Sequence, residues 1–204
     1  VPRELRDVVH PASTVLLLQE CQKGVIGDAS SLPELAASAR ATIIPNLVRL
    51  TAAARAAGVK VIHATAAHQP DYWGANTNAR LFKGARRSPV QLVLGAEAAE
   101  PLDELVGPGD LVFARQHGLS PLQGTELDAM LRNERIRTIV LVGVSLNVAI
   151  PNVTFDAVNC SYDVVIPRDA VASTPPEYGE QILANTLAYI ADLVTTDDLV
   201  AAWR

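Results

Sequence analysis

Glu20 closes the apolar run Thr14–Gln19, and Arg115 with Gln116 closes a second run that begins at Asp110. A carboxylate at the end of a buried strand is costly unless it is paired or hydrogen-bonded, and groups so placed are suited to proton transfer. His117 opens the loop after Gln116, where it could serve as a second acid/base or a substrate ligand. The stretch Gly143-Val144-Ser145-Leu146-Asn147-Val148-Ala149-Ile150-Pro151-Asn152 reads as a strand turning straight into a helix. An α/β enzyme commonly places its nucleophile on such a turn. Here the position is Ala149, which has no nucleophilic atom. Asn147 and Asn152 flank Ala149 near the start of that helix, where backbone amides and the helix dipole favour an anionic group, and Ser145 in the turn is a further candidate contact. The chemistry this set can offer is acid–base: Glu20 handles a proton, Arg115 or Gln116 orients substrate or water, and amides near Ser145–Ala149 hold a polar group. A structural role stays open for Glu20, as the partner of Arg115 or the cap of a backbone amide.

Two cysteines are present, with no CxxC pattern. Cys21 follows Glu20 directly, and alternation along a strand turns it to the opposite face. Cys160 lies at the far end of the helix beginning near Ala149, roughly 16 Å away at ~1.5 Å per residue. Neither is expected to act as nucleophile. His63, His68 and Asp71 are spaced unlike a recognised ligand set, so no metal and no cofactor is expected.

These groups must be positioned by alternating elements. Apolar runs predict strands at Thr14–Gln19, Val59–Thr65, Asp110–Arg115, Arg137–Val144 and Tyr162–Pro167, with a short sixth at Asp192–Thr196. Helical periodicity covers Pro33–Ala57, Thr125–Arg132, Ala149–Asn159 and Glu177–Ile190, and Pro45 should kink or divide the first. Alternation of strand and helix predicts one doubly wound α/β domain over residues 1–204: a mostly parallel six-stranded sheet with helices on both faces, in a Rossmann-like three-layer arrangement. Residues 1–13 form an N-terminal extension. Residues 66–108 break the rhythm, with weak periodicity and a run of aromatic, Asn and Gly residues in HQPDYWGANTNARLFKG. A connection of that length at a strand's C-terminal end is expected to be a lid, with Tyr72, Trp73 and Asn76 as substrate contacts, or else a subunit contact.

The chain has 204 residues, and its hydrophobic fraction of 49% with only 4% aromatics is the Ala, Val, Leu and Ile core of buried parallel strands. A net charge of −5 argues against nucleic-acid binding, and the basic cluster Lys83, Arg86 and Arg87 is too short to change that. No apolar run approaches the roughly 18 residues of a membrane span. Val1–Ser13 is too charged for a secretory signal. A reduced cytoplasmic setting and a small-molecule substrate are expected.

Three stretches carry a resemblance: LLLQECQKG (Leu16–Gly24), FARQHGLSPLQGTEL (Phe113–Leu127) and GVSLNVAIPN (Gly143–Asn152). Together with RDAVAS (Arg168–Ser173) they resemble the isochorismatase-like hydrolase superfamily, which includes nicotinamidases and N-carbamoyl amidohydrolases. That family shows Asp-x-Gln after strand one, a Lys after strand three, and Gly-Val-x-Thr-x-x-Cys at strand four. Here Glu20 stands in place of the Asp, Gln22 is retained as a candidate substrate contact, Leu146 replaces the Thr, and Ala149 replaces the Cys. Counting forward from Gly109–Asp110 puts the Lys position at Arg115; counting back from Gly124–Thr125 puts it at Gln116. Alternation of Leu111, Phe113 and Arg115 onto one strand face favours Arg115. The resemblance implies a divergent hydrolase without the thiol. True isochorismatases also lack it: the strand-one carboxylate acts as general acid on a vinyl ether, and water attacks the resulting cation. Vinyl-ether or C–N hydrolysis through Glu20 is therefore one expectation. A non-catalytic relative that binds a metabolite or a protein partner is the other. The resemblance further implies a homodimer or homotetramer, with Trp203 and the outer side of the long loop as contact candidates, and a non-proline cis peptide of the kind the family often has at Val144–Ser145.

Overall fold

The computed structural model describes residues 3–204. Thr14–Gln19 (β1) is buried at every position, so it lies in the middle of a sheet with both faces covered. Lys60–Ala66 (β2) and Leu111–Arg115 (β3) extend the sheet to one side. Thr138–Val144 (β4), Asp163–Pro167 (β5) and Asp192–Val194 (β7) extend it to the other, in the order β3-β2-β1-β4-β5-β7. Every strand pair is parallel.

The sheet has seven strands rather than the six expected. The addition is Val171–Ala172 (β6), which pairs with Gly143 and Val144. The ladder from β5 reaches β4 only through Val140, and β6 takes over the far end. Two residues carry no readable period, which is why the sequence did not announce this strand.

Helices Leu5–Val8 (α1), Lys23–Ile26 (α2), Pro33–Thr42 (α3), Ile44–Ala57 (α4), Arg80–Ala85 (α5), Leu127–Asn133 (α6), Ala149–Asn159 (α7), Pro176–Asn185 (α8) and Thr196–Ala202 (α9) complete the chain. Pro45 divides the long helical pattern as expected. The break falls at Ile43, and Pro45 sits in the first turn of α4, where its missing N–H has no partner to lose. One core layer joins Leu16, Leu18, Val140 and Val142 to Leu35, Leu47, Leu50 and Leu199 of α3, α4 and α9. The other joins Val15, Leu17, Ile139 and Leu141 to Leu127, Ile150, Val153 and Leu183 of α6, α7 and α8. Trp203, a contact candidate from the sequence, instead lies in the first layer, 8% exposed, with Nε1 donating to Val9 O at 3.1 Å. A large ring with one polar atom is satisfied there by a single buried carbonyl. Among the described residues no helix is long and apolar enough to cross a membrane.

Candidate active site

The C-terminal ends of β1, β3 and β4 lie along one sheet edge. Gln19 is in register with Gly143, so Glu20 and the Val144–Ser145 turn stand side by side on strands about 4.8 Å apart. Gly143 has φ +103, and a Cβ there would fall on Gln19 O and the Cys21 sulfur, so only glycine lets the two strand ends approach this closely. The Val144–Ser145 peptide is cis.

Glu20 has φ 52, which turns the chain off the strand. Its backbone N–H donates to Ala64 O at 2.9 Å. Its Oε1 accepts from Arg115 Nη2 and from Gln19 Nε2 at 3.2 Å. Among the described residues Oε2 accepts no hydrogen bond, and 21% of the side chain remains exposed. Arg115 is 4% exposed, and its Nη1 donates to Gly118 O and to His117 O at 3.4 Å. The guanidinium therefore ties the carboxylate to the loop after β3. Gln116 points the other way: it is exposed, and its Oε1 accepts from Gln69 Nε2 at 2.7 Å. The structure thus brings Arg115, not Gln116, to Glu20, as alternation along β3 requires.

Gln19 is the functional neighbour that the sequence reading passed over. It shares the strand face of Val15 and Leu17 and is fully buried, and its Oε1 has no partner among the described residues. A polar side chain in the inward-facing series of a core strand was the available signal.

Gln22, expected near substrate, is a buried strut. Its Nε2 donates to Ala66 O at 2.9 Å and Ala99 O at 2.8 Å, and its Oε1 accepts from Ala66 N at 2.8 Å. Asn147 is pinned in the same manner: Nδ2 donates to Thr174 O at 2.8 Å and Oδ1 accepts from Thr174 N at 3.1 Å. Ser145 O receives Ile150 N at 3.0 Å, which folds the turn into α7, and Ala149, the first residue of α7, is 5% exposed.

The long connection is bolted to the loop after β3. His68 Nδ1 donates to Gln116 O at 2.8 Å, and Asn76 Oδ1 accepts from Gly118 N at 2.7 Å. Asn76 therefore reaches the loop that holds Arg115. Tyr72 packs against the tilted His68 ring, with centroids 5.2 Å apart, and the Arg86 guanidinium carbon lies 5.2 Å over the Tyr72 ring centre. Trp73 is 81% exposed and points into solvent. His117 is half-buried, its ring lying against Gly124.

Burial pushes the Cys21 thiol up, reinforced by the Glu20 charge, and its Sγ donates to Gln19 O at 3.6 Å on the face of β1 opposite Gln19. His63 does not meet His68: its Nε2 lies 2.9 Å from Asp110 Oδ2, in a buried network with Arg55. Among the described residues no cluster of His, Cys, Asp or Glu could hold a metal ion. Neither the cavity of about 390 Å³ beside β6 and α8 nor the one of about 680 Å³ beside α2 has Glu20 or Arg115 in its wall.

Residues 14–198 match the isochorismatase domain. The chain is similar to the ureidoacrylate amidohydrolase RutB of Methylorubrum extorquens, 30% identical over 188 residues that span 85% of this chain and 75% of the relative. It is also similar to an N-carbamoylsarcosine amidase of Arthrobacter, 26% identical over 160 residues, 78% of this chain and 60% of the amidase. Among solved structures, a cysteine hydrolase from Pseudomonas syringae pv. phaseolicola superposes with a TM-score of 0.81 at 22% identity, covering 96% of this chain and 94% of that one. At that identity the likeness is one of fold.

Proposed function

The chain belongs to the isochorismatase family, and on that premise we propose that it hydrolyses a small metabolite with Glu20 as general acid/base and without a cysteine nucleophile. The observation that carries this reading is the one-sided anchoring of Glu20: Oε1 is held by Arg115 and Gln19, while Oε2 is unengaged at the sheet edge. Relatives act on ureidoacrylate and N-carbamoylsarcosine by name, so a ureido or carbamoyl C–N bond heads the candidate substrates and a vinyl ether follows.

For a C–N bond, Oε2 takes a proton from the attacking water as oxygen bonds to the carbonyl carbon, then returns it to the departing nitrogen as the C–N bond breaks. For a vinyl ether, the protonated carboxyl donates to carbon, water adds to the resulting cation as its proton returns to the carboxylate, and the hemiketal collapses with cleavage of the C–O bond to a carbonyl and an alcohol. In both, Arg115 positions the carboxylate rather than moving a proton, since a guanidinium is a poor acid. At the start of α7 the Val148 and Ile150 amides are already bonded to Ser145 O and Pro151 has no N–H, so the Ala149 amide is the one available to a developing oxyanion.

A second reading is favoured by the walls of both cavities, which include neither Glu20 nor Arg115: a relative that binds a metabolite or partner without turnover, with Glu20 and Arg115 as a structural pair. Assays of ureido compounds, carbamoyl amino acids, primary amides and vinyl ethers, run on wild type and Glu20→Gln, separate the two. Turnover that Glu20→Gln abolishes supports the hydrolase. Turnover unchanged in Glu20→Gln sinks Glu20 as the catalytic group. Saturable binding with no turnover selects the second reading.

A further inference from the structure

Asn76, expected from the sequence to touch substrate, is turned instead toward the loop after β3. It stands at the end of a run of tight turns. Tyr72 N donates to Gln69 O at 2.8 Å and Ala75 N to Tyr72 O at 3.1 Å, with Tyr72 at φ 60 and Gly74 at φ 81 reversing the chain. The near end of this run is pinned. His68 N donates to Leu92 O at 2.9 Å, His68 O accepts from Leu94 N at 2.8 Å, and the His68 ring holds Gln116 O. The far end is seated by Asn76, whose Oδ1 accepts from Gly118 N at 2.7 Å. Its Nδ2 donates to Asn78 Oδ1 at 3.3 Å, which keeps the oxygen facing the loop.

The N–H that Asn76 receives belongs to the peptide unit between His117 and Gly118. The carbonyl of that same unit is His117 O, which accepts from Arg115 Nη1 at 3.4 Å. One planar group is therefore gripped at both ends, by Arg115 at its oxygen and by Asn76 at its nitrogen. Hydrogen bonds at the two ends polarise the unit in the same sense, so each strengthens the other. Gly118 has φ +70, a left-handed turn that brings its own carbonyl round to the same Nη1.

From the loop the line continues through the guanidinium. Nη1 is held by the two loop carbonyls, and Nη2 donates to Glu20 Oε1. The guanidinium is planar and rigid, so fixing Nη1 also fixes Nη2.

We propose that Asn76 is a positioning residue for Glu20, acting through the His117–Gly118 peptide and the Arg115 guanidinium, so that seating of the long excursion sets the carboxylate. Its effect on rate rests on the hydrolase reading; the mechanical link does not. With Asn76 withdrawn, Gly118 N loses its acceptor, the loop is held to Arg115 alone, and the guanidinium is free to leave Oε1. Gln69 supplies a control. Its Nε2 donates to Gln116 Oε1 at 2.7 Å, joining the same two segments without touching the peptide that Arg115 grips.

Two measurements on the full chain test this. Hydrogen exchange at the Gly118 amide needs no substrate. It should quicken about tenfold in Asn76→Ala and also in Arg115→Met, and stay near wild type in Gln69→Ala and in Asn76→Asp, which keeps an acceptor oxygen. Exchange that Arg115→Met leaves unaltered breaks the link and overturns the proposal. Turnover is read second. In Asn76→Ala kcat should fall about tenfold with KM within about twofold, recover in Asn76→Asp, and fall no further when Asn76→Ala is added to Arg115→Met. Losses that multiply in the double variant overturn the proposal, and a rise in KM alone returns Asn76 to substrate contact. Thermal unfolding checks that each variant is folded, and Asn76→Ser, too short to reach Gly118, replaces Asn76→Ala if that variant is not. Exchange as expected with no turnover by wild type on any substrate removes the hydrolase reading and leaves the link from Asn76 to Arg115 standing.

Discussion

Arg115 reaches Glu20 through a single carboxylate oxygen, Oε1, although a guanidinium facing a carboxylate can engage both. Its second terminal nitrogen is turned to the carbonyls of His117 and Gly118. Arg115 thus spends its fork on two tasks, fixing a loop and fixing one oxygen. The arrangement leaves the carboxylate half-anchored. A purely structural pair would be expected to close both hydrogen bonds.

Removing the cation should expose that division. Arg115→Met leaves a carboxylate and two loop carbonyls without their donor, and we expect a loss of about 2 kcal/mol, below the ~3–5 kcal/mol of fully buried pairs because Glu20 keeps contact with water. A double-mutant cycle with Glu20→Gln, read by urea unfolding, should give a coupling of about 1–2 kcal/mol. Additive losses would show that the pair contributes nothing jointly. Arg115→Lys should retain the charge but release the loop, because an ammonium cannot span both sets of acceptors.

Gln22 predicts a larger effect with no catalytic meaning. Gln22→Leu leaves Ala66 N, Ala66 O and Ala99 O buried without partners. At roughly 1–3 kcal/mol for each unsatisfied group, a loss of about 3 kcal/mol or more is expected. The urea midpoint should fall with an unchanged m-value. A midpoint within error of wild type would mean that water replaces the strut.

Stability should decline with acid in two windows. Burial lowers His63 from its ordinary 6.5, and the Asp110 and Arg55 charges oppose each other there. A base with a depressed folded value binds its proton more readily when unfolded, so its contribution is complete above pH 6.5 and is lost as pH falls below it. Burial pushes Asp110 up, but hydrogen bonds from Arg55, His63 and Gly107 N outweigh this and hold it below its ordinary 3.8. Its contribution is therefore present above that value and disappears further into acid. His63→Gln keeps a donor toward Asp110 without titrating, and should flatten the upper window, whose slope is at most about 1.4 kcal/mol per pH unit. An unaltered slope between pH 7 and 5 in that variant would assign the window to other groups.

How much was legible follows from how each signal is carried. β1 and α7 read at their true ends because six consecutive buried residues and an eleven-residue helical period are local patterns. The pairing of Glu20 with Arg115 was readable as an alternative, from strand ends and face alternation alone. β6 was not, because its pairing belongs to β4 and not to its own two residues. The Asp110–His63–Arg55 network was equally silent: its members come from three elements, and no spacing links them. Trp203 misled because exposure at a terminus is the usual expectation, whereas the α9 end packs back on Val9.

Gln19 separates the two readings of the protein most cleanly. Its side chain is fully buried, yet it makes one hydrogen bond, to Glu20 Oε1, and leaves its own Oε1 without a partner. An unsatisfied buried acceptor is a standing cost of roughly 1–3 kcal/mol, set against about half that gain from the single bond it makes. A leucine of similar size would fit the face that already holds Val15 and Leu17. Gln19→Leu should therefore leave the melting temperature unchanged or raise it by a few degrees, since about 1 kcal/mol moves a domain of this size by ~2–4 °C. If Glu20 works through Oε2, the same substitution should lower kcat at least tenfold with KM unaltered, because Oε1 is then held by Arg115 alone and the carboxylate swings. A stabilised variant with slower turnover would place Gln19 among the groups that position the acid. A destabilised variant with unaltered turnover would make it a core residue and remove the second anchor from the argument.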